Sequence, residues 1–154
     1  MKKRVHAVAG TLGLTLITTF FVASVLVEVG GDHDAIASVK TLILYGICVL
    51  VPSMAITGGS GRSLMGKRRG PRILGKQKRM IAIAAIGLGV LTPCAILLQR
   101  LSAENDFGAA FTTLQAIELA GGAVNIVLMS LNLRDGLLLT GRIRRRRSST
   151  TGVA

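Results

Sequence analysis

The sequence has little cysteine, histidine, tyrosine or tryptophan, and few acidic residues. Among 154 residues there are two Cys, two His, one Tyr, no Trp, and seven acidic residues against 19 basic ones. Two cysteines exclude a disulfide-stapled scaffold. An apolar content of 50% excludes an intrinsically disordered basic protein. A soluble nucleic-acid-binding domain is disfavoured, because the long apolar runs would have to be buried in a very small body.

What the sequence does contain is strong hydrophobicity and strong positive charge, kept apart along the chain. Its mean hydropathy is +0.58 and its formal net charge is +12. Four apolar runs, at about 5–29, 35–58, 80–98 and 107–133, alternate with three basic clusters. Each run is long enough to cross about 30 Å of hydrocarbon as a helix. The pattern predicts an all-α bundle of four transmembrane helices.

The first apolar run follows a basic N-terminus, as a signal peptide would. Its apolar part is longer than the roughly 7–15 residues of a secretory h-region, and no convincing small-x-small cleavage site follows it. We therefore expect it to be a retained helix.

The charges predict an orientation. Seventeen of the 19 basic residues fall on one side of the four runs, while the other side has only Lys40 and Arg100 and several acidic residues. Because positive loops stay in the cytoplasm, both termini are predicted to be cytoplasmic. The acidic residues of the opposite side are Glu28, Asp32, Asp34, Glu104 and Asp106.

Connection lengths predict two antiparallel hairpins, with short links on the acidic side and a basic cytoplasmic loop over 59–79. The membrane domain is expected over 1–147 and a disordered tail over 148–154. We expect the loop and the basic tail to lie on anionic lipid, each basic residue contributing about 1 kcal/mol; a docking role for the tail is the alternative. The predicted lipid contacts are Lys67, Arg68, Arg69, Arg72, Lys76, Lys78, Arg79, Arg144, Arg145, Arg146 and Arg147.

The chain contains a possible internal duplication. A shift of 75 residues aligns the first hairpin with the second without gaps, and it superimposes Gly46 on Gly121 and Met54 on Met129. Such copies would be parallel and related about the membrane normal. The alignment therefore predicts a pseudo-symmetric bundle with any site between the hairpins.

The fourth run carries polar residues along one side. Gln115, Glu118, Asn125 and Asn132 are spaced by three, seven and seven residues, which places them on one helix face. A charged carboxylate inside the hydrocarbon is unfavourable unless it is paired, hydrated or protonated. Glu118 is therefore either a functional group or a structural residue that holds helices together.

Lys40 is the candidate partner for this carboxylate. It lies near the outer end of the second run and could pair either with Glu28 at the rim or with Glu118 deeper inside. Under the 75-residue shift, Lys40 corresponds to Gln115, so both would face the central seam. We therefore include Lys40 in a predicted intramembrane polar seam with Gln115, Glu118, Asn125 and Asn132.

His6 lies at the cytoplasmic end of the first run. A histidine there is a candidate haem ligand, quinone contact or proton entry point, and a capping or interfacial role is the simpler alternative. His33 is predicted at the opposite end, about 40 Å away along a helix, so the two cannot ligate one haem.

Motifs for catalysis are lacking. The glycine-rich stretch GGSGRSLMGKR does not have the order of a phosphate-binding loop, and no Ser-His-Asp set can form with histidines on opposite sides. Cys48 and Cys94 have no metal-ligand spacing and are predicted to be buried, inert packing residues. The sequence predicts no metal site and does not favour an enzyme.

The segments KKRVHAVAGTLGL, VPSMAITGGSGR, KQKRM and LQAIELAGGAVNIVLMSLNLRDG give the chain a resemblance to a known group. It resembles small four-helix bacterial inner-membrane proteins without an assigned activity, which implies a location but transfers no site residues. It is also similar in size to small four-helix multidrug exporters. Their intramembrane glutamate is in the first helix, however, where this chain has none before Glu28, and their aromatic pocket is missing.

Three functions are compatible with these patterns. The first is a structural or accessory protein of a membrane complex, which the sequence favours. The second is a small proton-coupled transporter or channel, homodimeric, that uses Glu118. The third is a redox subunit that binds quinone or haem near His6. The expected partners are anionic lipids and a second copy or a larger complex, without nucleic acid.

Overall fold

The computed structural model describes residues 2–65 and 71–139, and side chains within 4–63 and 74–138. The described chain is an all-α bundle, as predicted. It consists of α1 (Lys2–Gly30), α2 (His33–Met65), α3 (Pro71–Ile86), a π-helical turn (Gly87–Leu91), α4 (Thr92–Ala103) and α5 (Ala109–Leu139). The π-turn joins α3 and α4 into one span, so four spans in all are long and apolar enough to cross a membrane.

We call the end of the bundle with Arg4, the end of α2 and the start of α3 the basic end, and the opposite end the acidic end. At the acidic end the turns are short. Gly31 takes a φ of 68° between α1 and α2, and Asp32 Oδ1 accepts bonds from the backbone N–H groups of Asp34 and Ala35 at 3.0 and 3.4 Å. Such capping satisfies donors at the start of a helix.

The predicted basic loop over 59–79 is mostly helical. α2 continues to Met65 and α3 starts at Pro71, which leaves only residues 66–70, outside the described part, between them. The glycine-rich end of α2 is supported locally, because Thr57 and Ser60 hydroxyls bond the carbonyls four residues earlier at 2.8 and 2.5 Å. Neighbouring spans also pack against it. The third and fourth spans likewise extend beyond their predicted ends, to Ala103 and Leu139.

Packing arranges the spans as a ring. α1 lies against α2 and α5, and α5 also packs on α3, the π-turn and α4. α2 packs along α4 but contacts α3 only sparsely. Since α4 belongs to the acidic half of the third span and α3 to the basic half, the second and third spans pack less closely toward the basic end, where Met80 of α3 reaches Gly61 of α2.

Positions in the structure agree with the 75-residue shift. Moved by 75, His33–Met65 falls on 108–140, within one residue of Ala109–Leu139. Ile36 and Phe111, which the shift pairs, are both 3% exposed and belong to the same apolar cluster at the acidic end. The two hairpins therefore contribute equivalent positions to the same core.

A second equivalence lies at the basic end. Ser60 of α2 forms a hydrogen bond with His6 of α1 at 3.1 Å. The 75-residue shift pairs Ser60 with Asp135 of α5, and Asp135 forms an ion pair with Arg79 of α3. In each hairpin, one polar contact at this position joins the two helices.

Much of the apolar surface faces outward, as expected for helices surrounded by lipid; Val8, Leu42 and Tyr45 are each more than 60% exposed. The prediction for the cysteines is half correct. Cys94 is buried, but Cys48 is exposed. Apolar residues of a membrane bundle can face lipid as well as the core, so burial does not follow from hydrophobic surroundings alone.

Candidate functional site

The acidic half of the bundle contains a buried ion pair. Lys40 Nζ of α2 donates to Glu118 Oε2 of α5 at 2.5 Å and to Ser24 Oγ of α1 at 3.2 Å. The side chain of Lys40 is 0% exposed and that of Glu118 is 12% exposed. Of the two partners that the sequence allowed for Lys40, the structure selects Glu118, and it brings three spans together at this point.

Burial makes this pair interdependent. Removing two charges from water is unfavourable, and their attraction offsets that only when the geometry is close and the remaining donors are bonded. Loss of either partner would leave a charge in apolar surroundings, which costs about 3–5 kcal/mol. Glu28 lies near enough to interact electrostatically with Lys40 and Glu118, so a second carboxylate faces the same lysine from the rim.

Other members of the predicted polar seam are buried with incomplete hydrogen bonding. Gln115 is 5% exposed and neither of its amide atoms has a partner among the described residues. Asn125 is 0% exposed, donates to Ile83 O at 3.4 Å, and leaves its oxygen unbonded. Asn132 Oδ1 is in the same state. Buried polar atoms without partners are costly, and they are ordinarily satisfied by water or by a ligand.

Beside the seam is a cavity of about 950 Å³. It extends from Arg4, His6 and Lys76 at the basic end to Ser24 and Glu118 in the acidic half. Residues of all four spans line it, and most of the lining is apolar. Its volume is within the roughly 300–1,000 Å³ that small-molecule sites occupy.

Small residues keep the cavity open. Gly10, Gly58 and Ala84 line it, and a Cβ at position 58 would meet no atom within 4 Å. Met54 and Met129, the pair related by the 75-residue shift, flank Gly13, whose Cβ position lies 3.7 Å from Met54 Sδ and 3.5 Å from Met129 Cε. Side chains from both hairpins therefore meet at Gly13, which itself has none.

At the acidic end an apolar core closes the bundle. Ile36, Leu98 and Phe111 are all nearly inaccessible and pack together. Phe107 adds to this closure, since its ring lies edge-on to Phe111 at 4.9 Å and stacks on His33 at 3.9 Å. The cavity is accordingly closed on one side and reaches the basic end on the other.

His6 has a defined hydrogen-bonding role. Its Nδ1 lies 3.1 Å from the Thr57 carbonyl oxygen and 3.1 Å from Ser60 Oγ. A carbonyl can only accept, so Nδ1 carries the proton and donates it across the α1–α2 interface. The predicted interfacial role therefore has direct geometric support, and Nε2 is left for other contacts. His33 lies at the opposite end, as expected.

The π-turn places Asn125 beside the third span. Pro93 has no backbone N–H to donate, and the Thr92 N–H and hydroxyl both bond the Gly87 carbonyl, the hydroxyl at 2.9 Å. Asn125 reaches the Ile83 carbonyl just before this turn. Wide turns of this kind are common at functional positions in membrane helices.

Of the predicted lipid contacts, Lys78 is exposed, whereas Lys76 lines the cavity and Arg79 pairs with Asp135. The side chain of Arg72 is not described. Lys67, Arg68, Arg69 and the run of arginines at 144–147 lie outside the described residues, as does the predicted tail over 148–154.

Two polar contacts were not predicted from sequence. Ser24 was missed because the first run also contains several threonines that bond their own helix, as Thr18 does to Leu14 O at 2.8 Å. Asp135 was missed because it lies outside the predicted fourth run. Its position one helical turn past Asn132 was the available signal.

The site combines a cavity that can bind a small molecule with ionisable side chains at both of its ends. In the part of the chain that the structure describes, no three His, Cys, Asp or Glu side chains are grouped to hold a metal ion. Glu118 is the ionisable group at the closed end of the cavity, and Arg4 and Lys76 are cations at its basic end. No known protein family, curated protein or solved structure matches this chain.

Proposed function

We propose that this integral membrane protein is a small carrier that takes a largely apolar ligand into its interior cavity from the basic side, without chemistry on the ligand. The observation that carries the proposal is the cavity of about 950 Å³ that ends at Glu118. Partly open clefts of this volume with a mostly apolar lining are typical of small-molecule sites.

The ionisable end of the cavity supports proton coupling. Glu118 has Lys40 as its ion-pair partner, and protonation of the carboxylate would break that pair. A ligand that changes the polarity at this end would change the balance between the protonated and the ionised form of Glu118. This is the mechanism by which an intramembrane carboxylate links a ligand to a proton.

A matched pair of alanine variants tests whether the cavity is occupied. Ala84 and Ala85 are both exposed, but only Ala84 lines the cavity. Native mass spectrometry of protein released from its own membranes should reveal a bound small molecule in the wild type and in Ala85→Phe. The adduct should be lost or weakened in Ala84→Phe, because the ring is placed at the wall of the chamber and takes up space that the ligand would occupy. Unbound protein in all three samples would contradict the proposal.

Proton coupling is tested with the molecule that native mass spectrometry identifies. In proteoliposomes, an imposed proton gradient should drive its uptake by the wild-type protein. Glu118→Gln combined with Lys40→Met, which removes the titrating group without leaving a buried charge unpaired, should lose that dependence. Equal uptake by both proteins would reject Glu118 as the coupling residue.

A structural or accessory role is the second candidate, and one observation favours it. Lys40 joins α1, α2 and α5 through Ser24 and Glu118, as a residue that holds helices together would. In that case the protein should be released from mild detergent with another membrane protein attached, and that complex should persist in Ala84→Phe, which alters the cavity and leaves the Lys40–Glu118 pair in place.

We also propose that the membrane is a bacterial inner membrane and that the basic end is cytoplasmic. The distribution of basic residues supports this orientation. It would place the basic end of the cavity at the cytoplasmic leaflet.

A further inference from the structure

The basic end of the cavity differs in character from its walls. Arg4 and Lys76 line it there, together with His6. Further in, the lining is mainly aliphatic and methionine side chains. A chamber with apolar walls and a cationic rim is complementary to a molecule with an apolar body and an anionic head.

The positive charge of this rim is not balanced by the residues around it. Two ion pairs form among the described side chains, Lys40–Glu118 and Arg79–Asp135. Lys76 is close enough to Asp135 to interact with it electrostatically, but that carboxylate is paired with Arg79. Neither Arg4 nor Lys76 therefore has an ion-pair partner of its own within the described part of the chain.

The route into the cavity also suits a lipid-like molecule. α2 and α3 are only sparsely packed toward the basic end, where Met80 of α3 reaches Gly61 of α2, and Gly58 of α2 lines the cavity there with no atom near its Cβ position. A molecule that lies in the adjacent leaflet could enter between these helices with its apolar part still in hydrocarbon. Its head would then remain at the level of Arg4 and Lys76.

We propose that the cavity binds a lipid-like amphiphile with an anionic head group, and that Arg4 and Lys76 hold the head. The inference rests on the proposed function, because it names the class of ligand that the same cavity takes. Charge-assisted bonds from these two cations discriminate against neutral or zwitterionic heads on the same chain.

The test compares two double variants of equal charge. Arg4→Gln with Lys76→Gln removes the rim cations, and Arg62→Gln with Lys78→Gln removes two exposed cations that do not line the cavity. The probes are lysophosphatidic acid and lysophosphatidylcholine with the same acyl chain, added to full-length protein in an uncharged detergent. Native mass spectrometry measures the occupancy of each.

We expect wild type and the exposed-site variant to bind lysophosphatidic acid at one per chain, about tenfold more tightly than lysophosphatidylcholine, a difference of about 1.4 kcal/mol. The rim variant should lose this preference and keep weak binding of both. Equal weakening by the two double variants would assign the preference to overall charge and overturn the inference.

The same data separate the inference from the proposed function. If both lipids bind equally well and Ala84→Phe abolishes the binding of both, the cavity is a ligand site as proposed, but the preference for an anionic head group is wrong. If neither lipid binds at one per chain, the inference fails, and the adduct experiment on Ala84→Phe decides the cavity function separately.

Discussion

At the scale of single residues, the buried contact of Lys40 with Glu118 is the one that most constrains which substitutions the bundle can accept. Lys40 has no exposed surface and shares its ammonium between Glu118 and Ser24. A pair of this kind contributes little net stability compared with apolar residues of similar size, although breaking it is costly. Its presence inside hydrocarbon is therefore more easily explained by function or by specificity of helix pairing than by stability.

This reasoning predicts a non-additive pair of substitutions. Lys40→Met should lower the stability to unfolding by about 3–5 kcal/mol, because Glu118 is left charged and unpaired. Adding Glu118→Leu should restore most of the loss, since no buried charge then remains. Thermal unfolding in detergent measures both.

Lys78→Met, at an exposed site, serves as the control and should change the stability by less than about 0.5 kcal/mol. Additive losses in the double variant would show that the two residues act independently, contrary to the geometry.

At the scale of the helices, close approach within each hairpin depends on glycine. A Cβ on Gly46 of α2 would overlap the Phe20 ring of α1, and one on Gly121 of α5 would lie 2.9 Å from Leu91 Cδ2 of the third span. The 75-residue shift relates these two glycines, so the same device brings the helices together in both hairpins. Small residues at such interfaces let helices in a membrane pack closely.

Two glycine-to-alanine variants separate packing from helix propensity. Gly46→Ala should destabilise the protein, because the added methyl overlaps the ring of Phe20. Gly59→Ala should stabilise it by about 0.5–1 kcal/mol, since position 59 is exposed, has no atom within 4 Å of a Cβ, and gains helix propensity. Thermal unfolding of both proteins, prepared alongside the wild type, is the measurement. A stabilised Gly46→Ala would mean that α1 and α2 are farther apart than described.

At the scale of the whole molecule, the two ends of the bundle differ both in charge and in packing. The acidic end is closed by the cluster of Ile36, Leu98 and Phe111. The lining of the cavity reaches Arg4 and Lys76 at the basic end. The closely packed apolar cluster and the cationic end of the cavity therefore lie at opposite ends of the bundle.

Labelling with cysteine tests the orientation. In a background of Cys48→Ser and Cys94→Ala, Glu104→Cys places a thiol at the exposed acidic end and Arg62→Cys places one at the exposed basic end. A maleimide that cannot cross membranes should label Glu104→Cys in intact cells. Arg62→Cys should react only after the cells are opened. The reverse pattern would invert the proposed topology.

Several features of the fold could be predicted from the sequence alone: four helical spans, their antiparallel order and the shared face of Gln115, Glu118, Asn125 and Asn132. Hydrocarbon offers the backbone no hydrogen bonds, so a long apolar run has to be helical, and helical spacing alone places residues on one face. The helix ends were less accurate, because GGSGR continues α2 where its composition suggests a loop.

Other features were decided only by the tertiary structure. The choice of Glu118 over Glu28 for Lys40, the contribution of Ser24, and the exposure of Cys48 all depend on how each helix is rotated about its axis. The cavity depends on how closely the second and third spans pack along their length. Apolar side chains suit lipid and core equally well, so the pattern of hydrophobicity carries little information about rotation, and it is the packing between spans that supplies it.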